Sequence, residues 1–483
     1  MSAIGTPENP LRVAIVGSGP AGFYAAEHLL KRDASSNPGD PGREAEESPG
    51  IVVDMFDRLP TPFGLVRAGV APDHPKIKSV IRVYEKTAAR EGFQFFGNVD
   101  IGADVTVAEL EERYHAVVSA YGTATDRRLG IPGEDLPGSH AATEFVNWYN
   151  AHPDFADHDF DLTVERAVVI GNGNVAADVA RMLALPHDEL NITDTADHAI
   201  EKLSGSGIEE IVVLGRRGPA QAAFTNPEVR ELGELTDADI VIDPVEVELD
   251  PASRAYVESE DCEPTHRRNV EIFTDFSQRP LEGKPKRVVM RFCWSPVAIR
   301  GEGRVQSIVI GRNELYEDES GAIRARDTGE REELECGLVL RSIGYKGTGL
   351  EGIPFDSGRG VIPNQAGRVI DPDTGEQVPA HYVVGWIKRG PSGVICTNKK
   401  DAADTVASIF EDVESGRFAP LEPAPPIAEL LDERGGDHVT YMGWQAIDRA
   451  EQAAGEPHGR PRVKFCRVHE MVETARASSA VAR

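Results

Sequence analysis

Two glycine-rich stretches carry the clearest chemical signal in the sequence. The first, "GSGPAG", places Gly17, Gly19 and Gly22 in a GxGxxG pattern between an apolar run and a helix-period segment. The second, "GNGNVA", has the form GxGxxA. In such turns the first glycine permits a tight bend, the second lets backbone approach a pyrophosphate, and the third lets the helix pack on the strand. Because a helix N-terminus attracts anions, both stretches predict dinucleotide sites.

The residues that end the next strand differ between the two stretches. Asp57 ends "VVDMFD", where an acid would accept a hydrogen bond from a ribose hydroxyl, whereas alternation places the competing Asp54 on the other strand face. The breaker-rich loop predicted over Asp33–Gly50 explains the long spacing between the turn and Asp57. Arg216 and Arg217 follow "IVVLG" after the second turn. Guanidinium groups pair well with a 2′-phosphate, so this site is predicted to prefer NADP over NAD, with a solvated basic turn as the alternative.

Apolar patterns supply the elements that position these residues. Val13–Val16 and Ile51–Phe56 predict buried strands, and Phe23–Lys31 predict the helix between them. The second strand–turn–helix unit lies too far downstream to belong to the same nucleotide fold. Two nucleotide sites suggest electron exchange between NADP(H) and a tightly held flavin. The sequence therefore predicts an α/β fold with two Rossmann-like dinucleotide-binding domains, the NADP domain being inserted into the FAD domain. The predicted limits are 1–124 and 351–483 for the FAD domain, and 125–350 for the NADP domain.

Composition narrows the function further. The chain has 483 residues and a formal net charge of −29, which argues against broad binding to nucleic acid or anionic membranes. Its five cysteines include no CxxC pair, so a disulfide framework, a zinc knuckle, an iron–sulfur cluster and a redox dithiol are unsupported, and no metal site is expected. No signal peptide and no membrane span are predicted, which favours a cytoplasmic protein. A flavin monooxygenase, a diaphorase-like quinone reductase and a regulatory nucleotide-binding protein remain alternatives at this point.

Several longer strings resemble one known family. They include "TPFGLVRAGVAPDHPKIK", "FVNWYNAHP", "VVIGNGNVAADVARML", "VLGRRGPAQAAFTNPEVREL" and "YVVGWIKRGPSGVICTNKKDA". These strings are distributed over almost the whole chain. They make it similar to the adrenodoxin reductase-like ferredoxin–NADP⁺ reductases, and within that family to the actinobacterial type. The resemblance implies a monomeric enzyme that holds FAD in the first domain and NADPH in the second. It also implies an iron–sulfur ferredoxin as the partner.

The resemblance also implies cofactor contacts at matching positions. Gly393 is implied as a contact of both FAD and NADP. Arg127 is the weakest candidate among the NADP contacts. Gly393 is expected to begin a helix after "RGPSG", whose N-terminal amides would favour the negative charge of reduced flavin. The implied FAD contacts are Gly17, Gly19, Ala21, Gly22, Asp57, Leu65, Ile101, Trp386, Gly393, Val394 and Ile395. The implied NADP contacts are Arg127, Asn172, Gly173, Asn174, Val175, Arg216, Arg217, Glu228 and Gly393.

His74 and Glu231 are the candidate catalytic residues. Hydride transfer from NADPH to flavin requires alignment rather than a side-chain acid or base, but reduced flavin must release a proton as its electrons leave singly. A histidine titrates in the suitable range, although a structural hydrogen bond in the Pro-rich loop is the alternative for His74. The resemblance implies that His74 neighbours Glu231, which by itself would read as an ordinary surface charge.

Docking of a ferredoxin raises an electrostatic question. Ferredoxins are usually acidic, and so is this chain, so docking is expected to require a concentrated basic patch. The segments "HRRN", "KPKRVVMR" and "IKRG" hold the candidate lysines and arginines. A scattered, solvated set of charges is the alternative.

Overall fold

The first sheet is built from both ends of the chain. The structure, a computed structural model, describes residues 3–35 and 50–481. Seven strands pair in the order β16-β17-β18-β4-β1-β2-β3, and the run from β18 to β3 is parallel. Apolar residues bury both faces of the central strands, as expected for a parallel sheet covered by helices. These strands are β1 (Leu11–Val16), β2 (Ile51–Asp57), β3 (Phe93–Gly97), β4 (Ala116–Ser119), β16 (Asn364–Gln365), β17 (Arg368–Ile370) and β18 (Gln377–Val383).

The second sheet is formed by residues 139–341, which lie in sequence between the two segments that form the first sheet. Its six strands are all parallel and pair in the order β6-β14-β7-β8-β10-β9. One large apolar cluster packs the helices of this unit against the sheet. The strands are β6 (Ser139–Ala141), β7 (Arg166–Ile170), β8 (Glu210–Gly215), β9 (Ala238–Ile242), β10 (Lys286–Phe292) and β14 (Leu338–Arg341).

Two smaller sheets complete the strands of the described residues. Three antiparallel strands, β11 (Trp294–Arg300), β12 (Ser307–Glu317) and β13 (Ile323–Glu335), form the β11–β13 ribbon, which packs apolar residues of β11 and β12 against β7 and β8 and leaves most of the charged β13 exposed. The strands β5 (Thr125–Asp126) and β15 (Tyr345–Lys346) pair antiparallel, so the chain segments that enter and leave the second unit run side by side. The topology confirms the predicted insertion of one dinucleotide unit into another. The residue limits of the two domains stay a prediction.

Helices cover both sheets. The helix after the first glycine turn, α1, packs against α14, and α16 packs against α17 and the edge strand β3. No helix in the described ranges is long and apolar enough to cross a membrane. The helices are α1 (Pro20–Ser35), α2 (Leu65–Ala68), α3 (Pro75–Lys78), α4 (Ile81–Ala88), α5 (Val107–Glu111), α6 (Ala142–Tyr149), α7 (Asn174–Ala184), α8 (His187–Leu190), α9 (Asp197–Ser204), α10 (Asn226–Leu232), α11 (Pro251–Glu258), α12 (Pro264–Gln278), α13 (Trp386–Arg389), α14 (Thr397–Glu414), α15 (Ile427–Glu433), α16 (Tyr441–Gly455) and α17 (Val468–Val481).

Two predicted element boundaries are wrong. The helix expected from Gly393 begins at Thr397, because Gly393 has a φ of +80° and lies in the turn before it. The first helix begins at Pro20 and ends at Ser35, so it extends beyond the predicted Phe23–Lys31 at both ends. A proline fits the first helical turn, where its missing N–H leaves no hydrogen bond unmade. The loop predicted over 33–50 otherwise lies outside the described residues.

Candidate functional site

The first glycine-rich turn has the close packing that its sequence pattern predicts. Gly17 has a φ of +108°, and a Cβ there would lie 2.6 Å from the Tyr121 Cα. A Cβ on Gly22 would lie 2.2 Å from the Gly17 carbonyl oxygen. At Gly19, by contrast, a Cβ would meet nothing within 4 Å. The middle glycine therefore faces open space at the start of α1, which is the arrangement that a bound pyrophosphate requires.

Asp57 lies beside that turn, and Asp54 does not. The Asp57 carboxylate accepts hydrogen bonds from the Ser18 N–H at 3.0 Å, from the Ser18 hydroxyl, and from the Leu59 N–H at 2.9 Å. Burial raises its pKa, and these hydrogen bonds oppose that shift. Asp54 points to the other face, where it accepts a hydrogen bond from the Tyr114 hydroxyl at 2.6 Å. The structure therefore places the two acids on opposite faces of β2, as the strand alternation predicts, with Asp57 beside the glycine turn.

The second glycine-rich turn repeats the geometry of the first. Gly171 has a φ of +144°, and a Cβ there would lie 2.1 Å from the Ser342 carbonyl oxygen. Gly173 again faces open space. Ala176, which replaces the third glycine, is fully buried in α7. This turn also fits a pyrophosphate at a helix N-terminus.

The polar residues of the second turn are partly committed to the protein. The Asn172 carbonyl accepts a hydrogen bond from the Ala223 N–H at 2.7 Å, and the Asn174 side chain accepts one from the Thr225 N–H at 2.8 Å. The buried Asn172 Oδ1 has no hydrogen-bond partner in the part of the chain that the structure describes. A buried polar atom without a partner is costly, so it marks a position where a ligand group fits. Val175 is half-buried and packs against the core.

Arg216 and Arg217 stand out because neither guanidinium pairs with an acid among the described residues. Arg216 is exposed and Arg217 is half-buried, directly after the last residue of β8. Burial, Arg216 and Arg324 all lower the pKa of Arg217, so positive charges gather at this strand end. Arg127 is exposed, and its backbone N–H donates to the Gly344 carbonyl at 3.0 Å where the chain enters the second unit. Uncompensated arginines at a strand end fit a phosphate ligand.

The residues expected near the flavin ring come from three parts of the chain: α13 with the turn that follows it, the start of α2, and the segment around Ile101. Trp386 begins α13, and its ring centroid is 5.4 Å from that of Tyr345. Its buried Nε1 has no hydrogen-bond partner among residues 3–35 and 50–481. Gly393 lies in the following turn, where a Cβ would lie 2.6 Å from the Thr397 hydroxyl oxygen. Val394 is exposed and donates its N–H to that hydroxyl at 3.1 Å. Ile395 is half-buried, Leu65 is the half-buried first residue of α2, and Ile101 is buried in the core.

His74 and Glu231 meet where the two units join. The His74 Nε2 atom lies 2.6 Å from the Glu231 carboxylate, which α10 of the second unit carries. The other ring nitrogen lies 3.7 Å from Glu228 and 3.5 Å from the Arg181 guanidinium. His74 is therefore held between acids, although a hydrogen bond of this kind fits a structural as well as a catalytic role.

Arg181 is the centre of this junction, and sequence reasoning missed it. Its buried guanidinium bonds Asp73 at 2.5 Å, Asp178 at 2.6 Å and Glu228 at 3.2 Å. Asp178 and Arg181 stand three residues apart on α7, as polar interruptions of "VAADVARML". Two opposite charges at helix spacing within an apolar helix were the available signal for a buried pair.

Glu228 belongs to the same cluster rather than to an isolated surface. Burial and the neighbouring Asp178 carboxylate raise its pKa to about 7, while His74 and Arg181 oppose that shift. A carboxyl with such a pKa holds a proton for part of the time at neutral pH. The junction thus places Glu228, a carboxyl that can give and take a proton near pH 7, next to the His74 ring.

Comparisons with known proteins agree with the architecture and the two turns. Residues 11–213 match the family described as "Pyridine nucleotide-disulphide oxidoreductase". The "NADPH-ferredoxin reductase FprA" of Mycobacterium leprae (strain TN) is 49% identical over 470 residues, which cover 96% of this chain and 98% of the relative. The mitochondrial "NADPH:adrenodoxin oxidoreductase" of Arabidopsis thaliana is 40% identical, with 96% of this chain and 95% of the relative covered.

A solved structure gives the same result. The structure of "Mycobacterium tuberculosis FprA in complex with NADPH" superposes with a TM-score of 0.89 at 49% identity, covering 97% of this chain and 100% of that one. The fold and the paired turns define an oxidoreductase with two dinucleotide-binding units. The chain belongs to the NADPH-ferredoxin reductase family, and the resemblance noted in its sequence is confirmed.

Proposed function

We propose that this protein is a ferredoxin–NADP⁺ reductase that moves electrons between NADPH and an iron–sulfur ferredoxin by way of FAD. The observation that carries the proposal is the pair of glycine turns with different strand ends. One turn is followed by an acid that fits a ribose, and the other by two arginines that pair with no acid of the described residues and fit a 2′-phosphate. Relatives of nearly the same length, named NADPH-ferredoxin reductases, support the same reaction.

The first unit holds FAD, which when bound accepts a hydride and passes its electrons on one at a time. Gly19 and Ala21 offer the pyrophosphate contact at the start of α1, and Asp57 takes the ribose. The Trp386 indole N–H and the backbone from Gly393 to Ile395 flank the ring. These assignments rest on the open space at Gly19 and the unpartnered Trp386 Nε1.

The second unit holds NADP(H). The turn from Asn172 to Val175 takes the pyrophosphate at the N-terminus of α7, while Arg216 and Arg217 take the 2′-phosphate. Arg127 stands where the chain enters this unit, and the exposed Gly393 backbone offers a contact to the nicotinamide. The domain limits proposed from the sequence, 125–350 for this unit, are compatible with the pairing of β5 and β15.

His74 and Glu231 serve in proton release from the reduced cofactor, and Glu228 adjoins them. His74→Gln is expected to change the pH profile of ferredoxin reduction while the protein keeps its FAD. A purified variant without flavin absorbance would instead favour a structural role for the histidine. Glu231→Gln should reproduce the altered profile, because it removes the acid that faces His74 Nε2.

An acidic ferredoxin docks on a local basic patch, and the reductase acts as a cytoplasmic monomer. Some candidate cations already face acids of this chain: Arg268 pairs with Glu271, and Lys388 lies 2.9 Å from Asp401. A ferredoxin would compete with these acids for the cations. Arg267→Glu combined with Arg268→Glu should raise KM for ferredoxin and flatten its salt dependence, while ferricyanide reduction stays unchanged.

The decisive experiment is cytochrome c reduction by NADPH with and without ferredoxins from the same organism. The proposal predicts a yellow protein that NADPH bleaches, and a reduction rate that rises strongly with ferredoxin. Rapid NADPH oxidation by oxygen or quinone, with no acceleration by any ferredoxin, would favour a monooxygenase or a diaphorase. A protein that purifies with flavin but is not bleached would favour a regulatory role.

A further inference from the structure

The Arg216–Arg217 turn depends on a neighbouring sheet for its shape. Both residues lie beyond β8, outside the regular hydrogen bonding of the parallel sheet. The Arg216 carbonyl accepts a hydrogen bond from the Asn313 Nδ2 at 2.9 Å. The Arg217 carbonyl accepts one from the Cys293 N–H at 3.1 Å. Two consecutive carbonyls are thus held by residues of the β11–β13 ribbon and its entry.

Asn313 is fixed from several sides. Its backbone N–H donates to the Cys293 carbonyl at 2.7 Å, and its Nδ2 also donates to the Ser295 hydroxyl at 2.8 Å. The side chain is buried, at 7% exposure, next to a bulge in the β12–β13 register. A carbonyl can only accept, so the contact with Arg216 determines which end of the amide faces it. The amide therefore has one orientation and no freedom to exchange its partners.

The ribbon also touches the residue that follows the arginines. A Cβ at Gly218 would lie 3.3 Å from a methyl carbon of Leu315, two residues beyond Asn313 on β12. Cys293, which joins β10 to β11, has a φ of +62°, an unfavourable conformation for a residue with a side chain. Strain of this kind persists only where surrounding contacts fix the backbone. The contacts around Arg216 thus form a rigid support rather than a chance set of loop contacts.

We propose that Asn313 is a positioning residue for NADPH selectivity: it fixes the Arg216 peptide so that both guanidinium groups point at the 2′-phosphate. The inference rests on the proposed function of Arg216 and Arg217. Asn313 touches no cofactor itself, and it acts through the arginine backbone. A guanidinium recognises phosphate through several directed hydrogen bonds, so a tilted peptide loses affinity even though the charges remain.

Binding of two fragments to the FAD-loaded enzyme separates this role from a general one. Adenosine 2′,5′-bisphosphate carries the 2′-phosphate, and 5′-AMP lacks it. Asn313→Ala should weaken binding of the bisphosphate about fivefold to tenfold, the loss expected for one buried hydrogen bond. Binding of 5′-AMP should change less than about twofold, and kcat at saturating NADPH should be unchanged because no reacting group is touched.

Two control variants sharpen the comparison. Asn269 is a buried asparagine of the same unit whose Nδ2 donates to the Phe224 carbonyl at 2.8 Å, away from the arginines. Asn269→Ala should lower Tm as Asn313→Ala does, without changing the ratio of the two fragment affinities. Ser295→Ala removes the other partner of the Asn313 amide but keeps its contact with Arg216, so it should change the ratio less than Asn313→Ala does.

The outcomes are distinguishable. An unchanged affinity for the bisphosphate in Asn313→Ala, an equal loss for both fragments, or the same ratio change in Asn269→Ala would each overturn the inference about Asn313. If the wild-type enzyme bound the two fragments equally well, the 2′-phosphate role of Arg216 and Arg217 would itself be wrong, and the inference would end with it. Asn313→Asp provides a second variant of the same shape: its side chain cannot donate to the carbonyl, so it should lose at least as much selectivity.

Discussion

The two glycine-rich turns share a backbone but differ in how tightly each is packed. Gly22 cannot accept a side chain, because a Cβ would lie 2.2 Å from a backbone oxygen of its own turn. The equivalent Ala176 carries a Cβ, which is fully buried, so the second turn accommodates a methyl group at this position. The third position of the first turn therefore has no room for a side chain, whereas that of the second turn holds a buried methyl group. The sequence difference between GxGxxG and GxGxxA reflects this difference in packing.

The turns differ more strongly in what lies at the neighbouring strand end. Asp57 accepts three hydrogen bonds from its own chain, so the acid of the first site is oriented before any cofactor arrives. Arg216 and Arg217 pair with no acid among the described residues, so their charge is offset only when an anion binds. A preformed site suits a cofactor that stays, and an uncompensated one suits a substrate that exchanges. The difference thus supports FAD in the first unit and NADP(H) in the second.

The largest expected effect comes from equalising the third position of the turns. Gly22→Ala places a Cβ against the Gly17 carbonyl oxygen, and backbone cannot move aside cheaply. We expect purified Gly22→Ala to contain little FAD, measured as the ratio of flavin to protein absorbance. The converse change, Ala176→Gly, should cost only about 1 kcal/mol of stability. Equal flavin content in both variants would contradict the difference in packing.

Removing the second site's charge should have the next largest effect. Arg216→Gln combined with Arg217→Gln should raise KM for NADPH about 100-fold, the loss expected for two charge-assisted contacts to phosphate. KM for NADH should change little, because NADH lacks the 2′-phosphate. Arg300→Gln with Arg304→Gln, a pair of exposed arginines on the same unit, serves as the control. A parallel rise for both nucleotides would remove the assignment.

The acid of the first site can be tested against its neighbour on the strand. Asp57→Asn replaces one acceptor oxygen by a donor, so it opposes the N–H groups of Ser18 and Leu59 and weakens the ribose contact. We expect about a tenfold loss of FAD affinity, measured by equilibrium dialysis of the flavin. Asp54→Asn keeps its contact with Tyr114 on the other face and should leave the affinity within about twofold. An equal loss in both variants would point to a general loss of stability.

The helices after the two turns also differ in their buried charge. Asp178 and Arg181 of α7 connect to Glu228, whose pKa is raised to about 7. The folded state then binds this proton more tightly than the unfolded state, whose glutamate has a pKa near 4.5. Its contribution to stability is present below pH 4.5 and is lost as pH rises to about 7, by about 1–3 kcal/mol. The free energy of unfolding, measured by urea denaturation at several pH values, should fall less steeply with pH over this range in Glu228→Gln than in the wild type. An equally steep fall in both proteins would contradict the raised pKa of Glu228.

Much of this arrangement was readable from the sequence, for identifiable physical reasons. A glycine-rich turn is formed by residues adjacent in sequence, so the patterns at Gly17 and Gly171 predict two nucleotide sites. Strand alternation predicts that Asp57 and Asp54 lie on opposite faces. The Arg181 junction was not readable, because its acids come from segments far apart in the chain: Asp73 precedes α3 and Glu228 lies on α10. The helix start at Thr397 was not predicted, because Gly393 adopts a left-handed conformation in the turn before the helix. The pattern "RGPSG" does not indicate whether its last glycine lies in a turn or in the helix.

The smallest effect tests whether the uncompensated charge of the second site extends to the ribbon. Arg324 is among the charges that lower the pKa of Arg217, yet its own guanidinium already bonds Asp318 at 2.7 Å. An exposed, partly neutralised arginine should contribute little beyond attraction at a distance, so Arg324→Gln should raise KM for NADPH only about twofold at low salt. The effect should vanish at about 0.5 M salt, where exposed charges are screened, while the loss in the Arg216 and Arg217 double variant persists. A salt-independent loss in Arg324→Gln would instead mean that Arg324 contacts the phosphate directly, and the second site would then have three arginine ligands.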